Sequence, residues 1–373
     1  MIKTLRPESI DKLKNLSIRL LDQRESTPLI IPQGDSEGFW FGGGNFIQQE
    51  DGTILTCGRY RNHGDARTGT GAGQRGLEFS IFEVNQVLET AQKIHSFSKS
   101  DLSHDAKVVS IEGGCILPAT QGKGIEMIVS TEKEISYPKE LIHFQKPGTG
   151  VWSIDLFSGI DGISSISLDN PKIIAQSEEP NTLHVKDPVA FRIQPDRTEL
   201  IFCHHSFSWS SSNTGLSQRI KDEDDFIVKD YNVLPRGNSW DVACARVTER
   251  LAVPKVGEFS DLPDLSLYFY DGAECLRSLD ENKEAANRPR GYSCEELGGL
   301  AWGWDQEFPK LQKISTHFPL FLSPYGTGCS RYVSALNLQD GSILAGWQQS
   351  QKDYSQPLVI NRLDSNAVKS ILA

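Results

Sequence analysis

Glu112, Asp187 and Asp241 each stand where a polar lead-in meets a β-rich run, in IEGGCIL, KDPVAFRI and WDVACARV. Brought to one place, three carboxylates repel one another, which raises the pKa of at least one. A carboxyl kept protonated is what a general acid needs, and an ionised neighbour can serve as base or nucleophile. Acetal cleavage uses such a pair. A second set of residues is basic. Arg59, Arg61, Arg67 and Arg75 crowd an early segment with His63 among them, and Arg236, Arg246 and Arg331 stand near later β-rich runs. A guanidinium binds carboxylate or phosphate through two parallel donors. These residues therefore fit either salt bridges to the carboxylates or a hold on an anionic or polyhydroxylated ligand.

His204 and His205 close a β-rich run. Adjacent strand residues point to opposite faces, so at most one of the pair looks into a shared pocket. Trp40 and Trp209 lie in glycine- and serine-rich surroundings and fit a pocket rim, where an aromatic face stacks on the C–H face of a sugar. The alternative for any tryptophan is packing inside the body. Gln348, in GWQQSQKDYSQPL, offers an amide to a hydroxyl.

These residues need elements that hold them together. Five segments repeat one plan, a lead-in, a β-rich run, a turn and a second β-rich run, starting near Gly43, Glu112, Asp187, Asp241 and Ser330. Asp51-Gly52 and Asp340-Gly341 are hairpin turns. The mean spacing is roughly 70 residues, longer than common propeller repeats, so the excess falls in loops. The reading is an all-β, five-bladed β-propeller with a short N-terminal α-helix, and a β-sandwich with long loops is the competing fold. The innermost strands of a propeller line its axis, so their first residues converge although far apart in sequence. The domain reading is residues 1–30 as a helical extension packed on a single propeller of residues 31–373. Ile10, Leu13, Leu16, Ile18, Leu20 and Leu21 recur at roughly helical spacing and predict an amphipathic helix from about Glu8 to Asp22.

Composition narrows the partners. A formal charge of −11 repels phosphate backbones and argues against nucleic acid. No apolar run reaches membrane-spanning length. Lys and Asp interrupt the first apolar stretch, so the N-terminus does not read as an export signal and the expected location is cytoplasmic. The 7 cysteines contain no CxxC pair and read as buried free thiols. Phosphate-loop, dinucleotide, HExxH and GxSxG motifs are missing.

The Asp187-Pro188 of KDPVAFRI resembles the Asp-Pro blade motif of the five-bladed glycosidases of glycoside hydrolase families 43, 62 and 32. The resemblance in plan covers nearly the whole chain after the N-terminal helix. It implies a glycoside hydrolase acting on a furanoside or related sugar, with Asp187 stabilising the transition state. The general acid it implies is Glu274, in YDGAECLR, or Glu296, in GYSCEELGG. The first blade carries Gly42, Gly43, Gly44 and Asn45 where those families have an Asp, so the base or nucleophile falls to Asp65 or Glu112. The resemblance implies no cofactor beyond a structural cation in the central channel. Three alternatives stay open: a non-catalytic propeller binding carbohydrate or protein, a glycoside phosphorylase whose arginines hold phosphate, and a sialidase-like enzyme on an anionic sugar. The SxDxGxTW box of sialidases is missing from the sequence.

Overall fold

The computed structural model describes residues 4–62, 76–85, 87–119, 124–145, 149–159, 161–169, 171–207, 211–221, 225–275 and 296–373. It opens with α1 (Pro7–Leu20), whose proline sits in the first turn, where its missing N–H costs no hydrogen bond. β1 (Thr27–Ile30) follows. Then β2 (Trp40–Gly42) and β3 (Phe46–Gln48) lie end to end along one edge of β4 (Ile54–Arg61), which continues to β5 (Glu78–Val84) and β6 (Ala91–Ser98). A second antiparallel sheet runs β7 (Val108–Pro118), β8 (Ile125–Lys133), β9 (Val151–Gly159) and β10 (Lys172–Ala175). The third run is β11 (Lys186–Gln194), β12 (Arg197–Ser206), β13 (Ser211–Ile220) and β14 (Ile227–Asp230). It touches β15 (Cys244–Ala252) through a single parallel pair, Ser212 with Cys244. From β15 the chain makes β16 (Leu265–Ala273), β17 (Leu297–Trp304) and β18 (Gln312–Lys313). The last run is β19 (Ser330–Asn337), β20 (Ile343–Gln349) and β21 (Leu358–Leu363), and α2 (Ser365–Leu372) ends the chain.

These are antiparallel meanders, and the strands β3, β7, β11, β15 and β19 neighbour one another in a closed circuit. The architecture is a β-propeller whose inner strands surround the axis. The final meander takes its outer strand from the opposite end of the chain: β1 pairs with β21, Thr27 opposite Ile360. Residues 27–30 therefore belong to a blade, although the sequence reading assigned them to the helical extension.

The apolar residues explain why the sheets stack. Buried clusters lie at each seam between successive meanders, for example Phe79, Ile81 and Ile111 with Met127 between the first and second. The central strands are covered on both faces, so apolar residues occur at both parities, as in IEMIVSTEK of β8, which is buried throughout, whereas outer strands such as β14 stay largely exposed. Leu13, Leu16 and Leu20 of α1 are fully buried at the seam between the fourth and fifth meanders, together with Leu372 of α2. Each such leucine contributes about 1.5–3 kcal/mol. α1 starts and stops one and two residues before the expected limits. The expected Asp-Gly turns are present, with Gly52 at φ +89° and Gly341 at φ +79°, a conformation glycine adopts without strain.

Candidate active site

Every inner strand loses register at one level of the axis. The first meander leaves Gly43 to Asn45 unpaired between β2 and β3. The ladder slips between Ile111 and Gly114 on β7, Lys186 and Val189 on β11, Val247 and Glu249 on β15, and Arg331 and Ser334 on β19. A bulge re-aims the side chains of the residues it releases. The released residues are Glu112-Gly113, Asp187-Pro188, Thr248 and Tyr332-Val333. Gly43, Asp187, Thr248 and Tyr332, with Arg246 and Asp271, line one cleft.

Asp187 is half-buried at its centre. Its Oδ1 accepts from the Gly113 N–H at 3.0 Å, and its Oδ2 accepts from the Tyr332 hydroxyl at 3.3 Å and the Cys203 thiol at 3.4 Å. Its own N–H donates to Ser130 Oγ at 3.1 Å. Asp187 and Tyr332 both have left-handed backbones, φ +52° and +51°. Such strain persists in non-glycine residues only where the surroundings enforce it. Gly113 is needed here, because a Cβ would stand 2.7 Å from Asp187 Oδ1.

Around this carboxylate stand charges from several meanders. Arg59 of β4 lies 3.5 Å from Glu112 Oε2, and Lys186 lies 4.0 Å from the same atom. Ser110 Oγ donates to Glu112 Oε1 at 2.9 Å. Arg246 and Arg331 both bind the Glu296 carboxylate. Burial opposes ionisation of Glu296, but the two guanidiniums outweigh it and hold its pKa well below the usual carboxylate range. Nearby Asp271 shifts the other way. Burial raises its pKa, and the Glu296 charge raises it further. Burial and then the Asp187 charge also push the Tyr332 phenol up, so it keeps its proton. Trp40 is sandwiched between the guanidiniums of Arg61 and Arg331, each 4.2 Å from the ring centre.

The structure thus brings together Glu112, Asp187, Glu296, Arg59, Arg246 and Arg331, and sets Trp40 and Arg61 beside Arg331. Gln348 is fully buried next to Gln356, which accepts from Arg331 Nη2 at 3.5 Å. His205 shares the strand face of Cys203; burial, then the charges of Arg246 and Lys186, lower its pKa. His204 faces away and meets the Tyr231 carbonyl at 2.8 Å.

Asp241 does not join the cleft. It precedes β15 by three residues, and its carboxylate takes an ion pair from Lys313 and the Tyr270 hydroxyl at 3.3 Å. The fourth inner strand offers Thr248 to the axis instead. Glu274 follows β16 and is half-buried. Asp65, Arg67 and Trp209 lie outside the described residues. Asp271, Tyr332, Lys186 and Cys203 belong to the site but escaped the sequence reading. Their only signals were an acid inside the apolar run LSLYFYDGA and a tyrosine beside Arg331. Among the described residues no three of His, Cys, Asp and Glu form a group able to hold a metal ion, so the described side chains do not fit the expected cation.

Fold and site define a β-propeller with a charged axial cleft. The fold is similar to that of solved glycosidases. A structure described as a glycoside hydrolase superimposes with a TM-score of 0.61 at 13% identity, covering 96% of either chain. The GH93 α-L-arabinofuranosidase of Fusarium graminearum, in complex with arabinobiose, gives 0.54 at 10% identity, over 91% of this chain and 98% of its own. An α-L-arabinofuranosidase from Lactobacillus brevis gives 0.54 at 9% identity, over 89% and 92%. At this identity the likeness is one of fold. No protein-family model matches the sequence, and a search of curated proteins finds no match.

Proposed function

We propose that this protein is a glycoside hydrolase acting on a furanoside or related sugar. The observation that carries the reading is Asp187: a half-buried carboxylate held by donors from three other strands, in a strained backbone, at the centre of the cleft. An oriented carboxylate there suits the positive charge that develops at an anomeric carbon. Glu112, held by Arg59 and Ser110, serves as base toward water or as nucleophile. Of the two carboxyls considered as acid, Glu296 is bound as an anion by Arg246 and Arg331, which leaves the role to Glu274. Glu296 instead fixes those two guanidiniums at the cleft wall. The arabinofuranosidases that share the fold support a furanoside as the first substrate to try.

A second reading has one observation in its favour. Arg59 is buried beside the cleft, and its Nε and Nη1 hydrogens have no acceptor among the described residues. An acidic sugar, or phosphate in a phosphorylase, would supply one. The test is a panel of aryl furanosides and pyranosides, uronosides included, with and without phosphate. Cleavage without phosphate supports the hydrolase, and the Asp187→Asn variant should then fold normally and lose about 100- to 1,000-fold in kcat. Phosphate-dependent cleavage indicates the phosphorylase. Full activity in the variant overturns the role of Asp187, and sugar binding without cleavage of any glycoside replaces the enzyme with a binding propeller.

A further inference from the structure

We propose that Asp271 is a positioning residue, which anchors the bulge at Tyr332 so that the phenol hydroxyl is held on the Asp187 carboxylate. Taken as a role in turnover, this rests on the glycosidase reading above. Asp271 is on β16, the second strand of its meander, and is fully buried, so it reaches the cleft from behind the inner ring. Both of its carboxyl oxygens lie 3.2 Å from the Tyr332 N–H. That N–H falls in the register slip of β19 and has no partner in the β19–β20 ladder. A buried amide without an acceptor is costly, and Asp271 removes that cost across a blade boundary.

The consequence is carried through the side chain. Tyr332 has φ +51°, a conformation unfavourable for a bulky residue unless its neighbours enforce it. With the N–H fixed, the ring stands between Arg59 and Arg331, whose guanidiniums lie 5.4 and 5.1 Å from its centre. Its hydroxyl then reaches Asp187 Oδ2 at 3.3 Å. A chain of contacts so runs from the second strand of one meander, through the bulge of the next, to the central carboxylate of a third. Asp271 needs only an acceptor oxygen to do this. An amide of the same shape retains one.

Three variants test the inference by turnover on whichever aryl glycoside the wild type cleaves, and by crystal structures that need no substrate. Asp271→Asn should keep the Tyr332 hydroxyl on Asp187 and keep turnover within a few-fold. Asp271→Ala should release the Tyr332 N–H, move the hydroxyl off Asp187 and lower kcat about 10- to 100-fold with little change in KM. Tyr332→Phe should match that loss without moving the backbone. If Asp271→Ala does not fold, the contrast of Asp271→Asn with Tyr332→Phe decides. The inference is overturned if Asp271→Asn loses as much as Asp271→Ala, the behaviour of a proton donor, if Tyr332→Phe keeps full kcat, or if Tyr332 is unmoved in Asp271→Ala. A wild type that cleaves no glycoside overturns the function alone, and the crystal structures still judge Asp271.

Discussion

Glu296 shows how a residue's neighbours decide its chemistry. A glutamate late in the chain suits a proton donor by type, but two buried guanidiniums bind it and stabilise its charged form. Removing one partner from a buried ion cluster leaves charge that water cannot reach. Arg331→Met should therefore lower unfolding free energy at pH 7 by about 3–5 kcal/mol, read from the urea midpoint. The pH dependence follows from the depressed pKa of Glu296. Its contribution is complete above the unfolded value and is lost as pH falls through the folded one. Wild-type stability should therefore decline on acidification below the unfolded value, whereas the variant, with one guanidinium fewer to depress the Glu296 pKa, should show a smaller decline from its lower starting point. At this scale Asp187 was legible because Asp-Pro marks the start of an inner strand. Asp241 misled because it sits beside Trp240 at a similar lead-in, yet the strand begins three residues later. Asp271 was hidden because a second strand was not expected to supply the axis.

The elements place these residues by their irregularities. Asp-Gly turns and β-rich runs can be read along one chain, and they set the hairpins correctly. A bulge depends on the partner strand, so five register breaks at one level do not show in local pattern. Asn45, in the first break, illustrates what they do. Its Nδ2 donates to the Ile116 carbonyl at 2.9 Å, and its Oδ1 accepts from the Ile116 N–H at 2.9 Å, so one amide replaces a missing ladder pair between two meanders. Asn45→Ala should leave both buried Ile116 groups without this partner, at about 1–3 kcal/mol each. Thermal unfolding should show a clear fall in midpoint, while Asn45→Asp should recover only the half of the bridge that accepts from the Ile116 N–H.

Over the whole molecule, stability is divided among the seams rather than gathered in one core, which is why 373 residues can add around an axis without a growing interior. The seams were implicit in strands apolar on both faces. The closure through β1 was not, since its four residues pair with a strand at the far end of the chain. On the axis, three inner strands are tied by one relay: the Phe46 N–H donates to Ser334 Oγ at 3.0 Å, and the Ser334 hydroxyl donates to Glu249 Oε2 at 2.7 Å. The Arg250 N–H donates to Glu249 Oε1 at 2.9 Å. Burial raises the Glu249 pKa from 4.5 to about 7, against these hydrogen bonds. Between those two values the folded chain holds a proton that the unfolded chain has released, so stability must fall as pH rises across that window and level off above it. The fall is on the order of 3 kcal/mol for a shift of this size. Glu249→Gln keeps an acceptor for Ser334 and cannot ionise. Urea unfolding from pH 4 to pH 8 should show the variant's stability curve without this decline, exceeding the wild type near pH 8. Parallel curves for the two proteins would mean that Glu249 titrates alike in the folded and unfolded chain, and that burial does not hold a proton on the relay.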